Sequence, residues 1–307
     1  KYGEPTISEG PRAGERAELV IAALGKFGGR ELNYHSDLDI VFLFEADGQT
    51  AHPKRSKRTD TTSNQHFFGE LGQRIIKVAN RLGPYGRLYE IDPRLRPTGK
   101  SGALATTFGE FARYYASGDG QFWERQALCR ARVVYGEAKA SRHAQQLIEA
   151  AAFEHEWNDS LVMSIRGMRK RLEEAAPAGN LKRGRGGIVD IEFLVQMLQL
   201  RHGSENIAVR TANTLDALRA CTEQDILSSE DGSFFAESYR FLRTVEARLR
   251  LMHSTSRNDL PTDATELLKL ARLVGCGDAE QLHARCQQMM DETRRRFDAI
   301  FDQAANR

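Results

Sequence analysis

Long hydrophobic runs are missing from this 307-residue chain. Its longest apolar stretches, 19–24 and 40–44, are strand-sized, which excludes a membrane-spanning helix. Cysteine is scarce too. Cys129, Cys221, Cys276 and Cys286 lie far apart with no closely spaced pair, which argues against disulfide staples and a structural zinc site. Free thiols in a reducing cytoplasm are expected. A charge excess of one sign is also absent: 44 basic against 42 acidic residues leave +2. No global field therefore draws the chain to nucleic acid or anionic lipid, and neither nucleic acid nor a membrane is expected as a partner. The first residues, Lys1-Tyr2-Gly3-Glu4-Pro5, include no Met and no apolar segment. They do not read as a signal peptide, and a start without Met suggests a piece cut from a longer chain or a processed tag. No internal repeat or low-complexity tract is visible.

What is present is ordinary globular composition, 40% hydrophobic and 28% charged, at a length that predicts two domains. The first part mixes short apolar runs with glycine turns. Residues 19–24 read as a buried strand, 25–29 as a turn, 38–45 as a second strand and 86–92 as a third. Between them, Phe68, Leu71, Ile75, Ala79 and Leu82 recur every three or four residues and predict an amphipathic helix over 66–82. Strands with interleaved helices imply an α/β domain. Residues 47–65 read as a surface loop; four of its positions 54–58 are cationic, suited to a phosphate or partner contact or to plain solvation. After about residue 140 the period becomes helical. Residues 187–201 are apolar nearly all round and predict a buried central helix. Phe235, Tyr239, Leu242, Val245, Leu249 and Met252 predict a second long helix, and Leu282, Cys286, Met289, Phe297 and Ile300 a third. The expected architecture is α+β: an α/β domain over 1–138 followed by an all-α helical bundle over 139–307.

The chemistry concentrates in Gly25-Lys26-Phe27-Gly28-Gly29-Arg30-Glu31-Leu32-Asn33-Tyr34-His35-Ser36-Asp37-Leu38-Asp39. Side chains alternate along a strand, so Asp37 and Asp39 share a face. Two such carboxylates repel each other unless a divalent cation lies between them, and hard oxygen ligands suit Mg²⁺. Glycine lets backbone N–H groups approach a phosphate. The order strand, Gly-Gly turn, Ser-Asp-x-Asp, strand is more specific than either part alone. A third carboxylate, Asp92, ends an apolar stretch and is followed by Arg94 and Arg96 at strand spacing. Those guanidiniums could grip phosphate oxygens or pair with the strand aspartates. Three acids around metal ions with a triphosphate fit two-metal, in-line phosphoryl or nucleotidyl transfer.

Other residues have plainer readings. Lys182 to Gly187 reads as a loop capping the buried helix, with Lys182 able to face an anion. Asp190 and Glu192 suit a cap or an internal ion pair. Trp123 suits a core, and Arg166, Arg169, Lys170 and Arg171 a solvated helix face. His35 reads as a loop histidine beside Ser36.

The segment Gly25-Lys26-Phe27-Gly28-Gly29-Arg30-Glu31-Leu32-Asn33-Tyr34 with Ser36-Asp37-Leu38-Asp39 resembles the signature of the glutamine synthetase adenylyltransferase family, within the polymerase-β-like nucleotidyltransferases. Asp92 to Pro97 is similar to that family's second block, Trp123 to Gly136 to its third, and Leu181 to Phe193 to its fourth, so the likeness spans nearly the whole chain. The resemblance implies a polymerase-β-like catalytic domain followed by the bundle. It also implies one half of a bifunctional enzyme in which one half attaches AMP from ATP to a tyrosine of glutamine synthetase and the other removes it by phosphorolysis. The third block and Ser36-Asp37-Leu38-Asp39 resemble the adenylylating half more. On that likeness Asp37, Asp39 and Asp92 would be catalytic and bind Mg²⁺. Gly28, Gly29, Ser36, Arg94, Arg96 and Lys182 would contact ATP, the substrate. Glutamine synthetase would be the partner, with the PII signalling protein acting through the full-length enzyme. Pro93 departs from the family pattern and should end its strand or place it at an edge. Two alternatives stay open: the de-adenylylating half, and a nucleotide-binding module without turnover.

Overall fold

The computed structural model describes residues 2–53, 56–84, 86–87 and 89–305. Lys54 and Arg55, half of the expected cationic cluster, and Leu88, in the expected third strand, lie outside the described residues. The chain is mixed α and β, and it divides into two compact units. One holds residues up to Leu32 and Ser36–Glu154; the other holds Asn33–His35 and His155 onward.

In the first unit the sheet grows from the two apolar runs. β2 (Leu19–Ala23) pairs antiparallel with β3 (Leu38–Phe44), from Leu19↔Phe44 to Ala23↔Ile40. A two-residue strand, β1 (Glu4–Pro5), pairs apart from this sheet with β4 (Thr50–Ala51). Along β3 the side chains alternate. Ile40, Phe42 and Phe44 enter a buried cluster with Ile7, Leu19, Phe68 and Ile91, while Asp39, Val41 and Leu43 take the opposite face. Two further strands run parallel to β3. β5 (Ile91–Asp92) pairs at its start, and β6 (Ala105–Thr107) near its end. β7 (Arg132–Tyr135) pairs with the other side of β2. The expected third strand is thus only two residues long. Pro93 follows it directly and cannot donate to a ladder, and β5 lies at the end of the strand order.

The amphipathic helix is α2 (Asn64–Ala79), capped by the Ser63 side chain, which accepts from the His66 N–H. Leu82 falls beyond its end and is exposed rather than on the buried face. The expected turn at 25–29 is a single helical turn, α1 (Gly25–Gly28). Among the described residues this unit also holds α3 (Phe108–Ala116), α4 (Phe122–Leu128) and α5 (Ala138–Phe153). α5 packs on β2, β7, α3 and α4. α5 thus lies within the first compact unit, which runs to Glu154. Trp123 is largely exposed on α4 rather than in a core, and Glu124 is buried in its place, accepting from the Tyr114 hydroxyl and the Gln121 N–H.

The second unit is helical: α6 (Asp159–Glu174), α7 (Ile188–His202), α8 (Thr214–Glu223), α9 (Ser229–His253), α10 (Ala264–Val274) and α11 (Ala279–Ala305). α7 is buried nearly all round and packs against α6, α8, α9 and α11. Phe235, Tyr239, Leu242, Val245 and Leu249 of α9 are buried, as are Leu282, Cys286 and Phe297 of α11. Arg169 is a correction to the expected solvated face of α6. It is fully buried because Asp190 at the start of α7 is buried too and needs a counterion. Asp190 also accepts from the Gly186 N–H at 2.6 Å and so holds the glycine loop ahead of α7. Among the described residues, no helix is long and apolar enough to cross a membrane.

Candidate active site

The sheet register brings the predicted carboxylates together. In the parallel pair of β3 and β5, Leu38 stands opposite Ile91 and Asp39 opposite Asp92. Residues in register on neighbouring strands point to one face, so Asp39 and Asp92 sit side by side on the face away from the Phe42 cluster. Asp37 lies two residues before Asp39, at the exposed approach to β3. Fifty-odd residues of chain separate Asp39 from Asp92, and nothing in their spacing reveals this pairing.

Arg94 closes over Asp92. Its backbone N–H donates to Asp92 Oδ1 at 2.9 Å, its Nε reaches Oδ2 at 2.7 Å, and its Nη2 also donates to Oδ2. This fork holds the Asp92 carboxyl below its ordinary range against the opposing effect of burial, with help from the Lys100 charge. The fields of Asp92, Asp39 and Asp37 all raise the Arg94 guanidinium, Asp92 most strongly. One exposed cation therefore answers to all three carboxylates. Arg96 behaves differently. It is buried and donates to the carbonyls of Pro93 at 2.7 Å and Gly102 at 3.2 Å, which shapes the loop after β5.

The glycines have packing reasons. Gly25 has φ +52, and a side-chain carbon there would overlap Asp39 Oδ2 and stand 3.1 Å from its Cγ. Gly25 is thus the cradle in which the Asp39 carboxylate lies, a role that nothing in the spacing of residues 25 and 39 signals. The amides of Gly28 and Gly29 donate to the carbonyls of Leu24 at 2.7 Å and Gly25 at 3.2 Å. A side chain at Gly28 would strike the Arg130 carbonyl. The third block supports this turn. Arg132 donates to the carbonyls of Gly28 at 3.1 Å and Phe27 at 3.2 Å, and Arg130 makes a buried ion pair with Glu31. Burial pushes the Arg132 guanidinium down, and the Arg30 charge adds to this. Ser36 is half-buried just ahead of Asp37.

Lys182 belongs to the helical unit, where it is half-buried. Burial pushes its ammonium down, the Glu246 carboxylate pulls it up, and Arg250, Arg183 and Arg243 lower it. Among the described residues, no three His, Cys, Asp or Glu side chains are already arranged to hold a metal ion. Asp37, Asp39 and Asp92 nonetheless fit a divalent cation by chemistry. They are hard oxygen donors, Asp39 and Asp92 on one sheet face with Asp37 just ahead of the strand, beside a glycine that leaves room for a carboxylate, and the Arg94 fork already supplies positive charge there.

Residues 2–147 match the family model of glutamate-ammonia ligase adenylyltransferase. Residues 163–304 match that of GlnD PII-uridylyltransferase. The chain is 32% identical to the bifunctional glutamine synthetase adenylyltransferase/adenylyl-removing enzyme of Ralstonia nicotianae, over 98% of its own length and 33% of that protein. It is 33% identical to the enzyme of the same name from Burkholderia mallei, over its whole length and 34% of that protein. With the one from Hahella chejuensis it shares 33% identity, over 90% of its length and 28% of that protein. The chain thus spans about a third of the length of these relatives.

Proposed function

From its membership of the glutamine synthetase adenylyltransferase family, we propose that this chain is a nucleotidyltransferase unit that transfers AMP from ATP to a tyrosine of glutamine synthetase, with Mg²⁺ as cofactor. Its first unit is then a polymerase-β-like catalytic domain and its second a helical bundle. The observation that carries the reading is the register of Asp39 against Asp92, with Asp37 two residues upstream.

Asp37, Asp39 and Asp92 would hold the metal. Bound there, it would draw charge from the triphosphate oxygens and lower the pKa of an incoming hydroxyl. A free tyrosine hydroxyl has a pKa near 10, so a base beside it helps at neutral pH. On this reading Asp92, the carboxylate gripped by Arg94, would accept that proton. The tyrosine oxygen then bonds to the α-phosphorus, the bond from the α-phosphorus to the β-bridging oxygen breaks, and pyrophosphate leaves with that electron pair. Were Asp92 to hold a metal, Arg94 would be the guanidinium nearest to phosphate oxygens, which its paired donors suit. Ser36 and the glycine turn would border the nucleotide on the side of α1, while Arg96 keeps the loop after β5 in shape. Glutamine synthetase is the partner on this reading and the cytoplasm its place, and PII would act through the full-length enzyme.

The test is transfer of label from α-labelled ATP to unmodified glutamine synthetase in Mg²⁺. Label that appears with the wild-type chain and drops at least about 1000-fold with Asp39→Asn supports the reading, a loss on the scale of losing metal-based stabilisation of transition-state charge. No label, with release of ADP from adenylylated synthetase and phosphate, assigns the removing activity instead. Silence in both assays leaves a binding module.

A further inference from the structure

Asp92 is followed by a tight loop, residues 93–102, that lies wholly in the first unit. One buried side chain shapes it. Arg96 donates to the carbonyls of Pro93 at 2.7 Å, Gly102 at 3.2 Å and Lys100 at 3.4 Å. Pro93 is the residue after Asp92, so a single guanidinium folds the backbone of Lys100 back against the end of β5. Two further ties close the loop. The Gly99 N–H donates to the Arg96 carbonyl at 2.8 Å, and the Ser101 hydroxyl donates to the Thr98 carbonyl at 2.7 Å. Thr98 has φ +58, a conformation that a non-glycine residue keeps only where its surroundings hold it. Its N–H donates to the Tyr114 hydroxyl, which in turn donates to the buried Glu124.

The loop thus holds Lys100 at one position beside the carboxylates. Lys100 is exposed, and its charge reaches Asp92, whose carboxyl it helps to keep low. Arg94, the other cation there, is already gripped by Asp92 through Nε and Nη2. Lys100 is not: among the described residues, no carboxylate stands close enough to it for an ion pair. A surface lysine is ordinarily a solvated charge on a flexible stem. Here the backbone beneath the lysine is pinned by a buried arginine, at the end of the strand that carries Asp92. An ammonium is a compact point charge with three donors, and it suits phosphate oxygens without the fixed fork that an arginine brings.

We propose that Lys100 is a substrate-contacting residue whose ammonium binds a phosphate group beside Asp92. The ligand is a phosphate oxyanion, from one of two sources: the pyrophosphoryl part of ATP, or inorganic phosphate. The proposal rests on the reading of Asp37, Asp39 and Asp92 as the centre of nucleotidyl transfer. Arg96 does not touch the ligand; it keeps the loop that carries the lysine in shape.

The experiment measures binding of ATP, pyrophosphate, inorganic phosphate and adenosine in Mg²⁺ to the 307-residue chain, to Lys100→Met and to Lys100→Arg, by titration calorimetry. Lys100→Met removes the charge and keeps most of the length. It should weaken binding of the contacted anion about 10- to 100-fold, the range for a hydrogen bond to a charged group. Lys100→Arg should keep most of that affinity, and adenosine should bind all three chains equally. Tm should stay within about 4 °C of wild type, because an exposed side chain carries little stability. Weaker ATP and pyrophosphate with unchanged phosphate assigns the triphosphate as the occupant. Weaker phosphate with unchanged ATP assigns inorganic phosphate, and a loss for all three assigns one subsite to both. Wild-type affinity for every anion in Lys100→Met overturns the proposal. So does an equal loss of adenosine, or an equal loss of the anions in Lys100→Arg, since either would be an effect of loop shape. A wild-type chain that binds ATP but neither attaches nor removes AMP defeats the nucleotidyl-transfer reading, and the Lys100→Met affinities still decide whether the lysine contacts phosphate.

Discussion

Gly25→Ala separates the geometry of the carboxylate site from the stability of the fold. Gly25 sits at φ +52, where an L-residue is strained by about 1–2 kcal/mol. For a unit of this size that lowers Tm by roughly 2–8 °C. The new methyl group would also overlap Asp39 Oδ2 and approach its Cγ at 3.1 Å. The backbone at Asp39 is locked, since its carbonyl accepts from the Leu24 N–H at 2.9 Å and the strand pairs on both sides. The carboxylate itself must therefore swing by on the order of 1 Å, a misplacement that costs about 100-fold in rate. Gly14→Ala is the control. Gly14 also has a positive φ, +86, with nothing within 4 Å of a side-chain carbon, so it should lower Tm and leave transfer unchanged. The assay is label transfer from α-labelled ATP beside thermal unfolding of both variants. Gly25→Ala with transfer within about threefold of wild type, or equal losses in the two variants, would refute the assignment of Gly25 as the cradle of Asp39.

Three further outcomes follow from particular contacts. The Arg94 fork holds Asp92 below the ordinary carboxylate range; a depressed carboxyl stabilises the fold above the unfolded value of about 3.9 and loses that contribution as pH falls through the folded value. The stability gap between wild type and Asp92→Asn in urea should therefore shrink from pH 7 to pH 3, and a constant gap would rule the linkage out. Arg169→Met takes the nearer of two guanidiniums from Asp190, whose burial already pushes its carboxyl up, and leaves Arg294 at 3.7 Å; it should destabilise by about 3 kcal/mol in urea denaturation, and a loss below about 1 kcal/mol would contradict a buried pair. Burial pushes the Cys221 and Cys286 thiols up to about 12 and raises Cys129 as well, so Ellman's reagent at pH 8 should react quickly with the half-buried Cys276 alone and with all four thiols after unfolding.

Much of this protein is legible in its sequence because the signals are local. The apolar runs at 19–24 and 38–45 become β2 and β3, and alternation along β3 sets Asp39 on the face opposite Ile40, Phe42 and Phe44. The 3.6-residue periods of α7, α9 and α11 are set by which positions are apolar, and their buried faces follow. Pro93 marks the end of β5 because it lacks a donor. The four ordered blocks point to the family for the same reason: each is a contiguous run.

What only the tertiary structure decided are the pairings between distant residues. The register that sets Asp39 beside Asp92 depends on how a two-residue strand docks on β3. The fork that Arg94 makes, rather than Arg96, depends on the loop that turns the Arg96 side chain toward the Pro93 and Gly102 carbonyls. Arg169 reads as a surface cation until Asp190, twenty-one residues on, is buried against it. Asn33 and Tyr34 read as part of a catalytic turn, and their partners Glu246 and Arg250 lie 213 and 216 residues away. Residue type and spacing report the energetics of one element; a hydrogen bond or ion pair between two elements exists only once chain entropy has been overcome and both are packed.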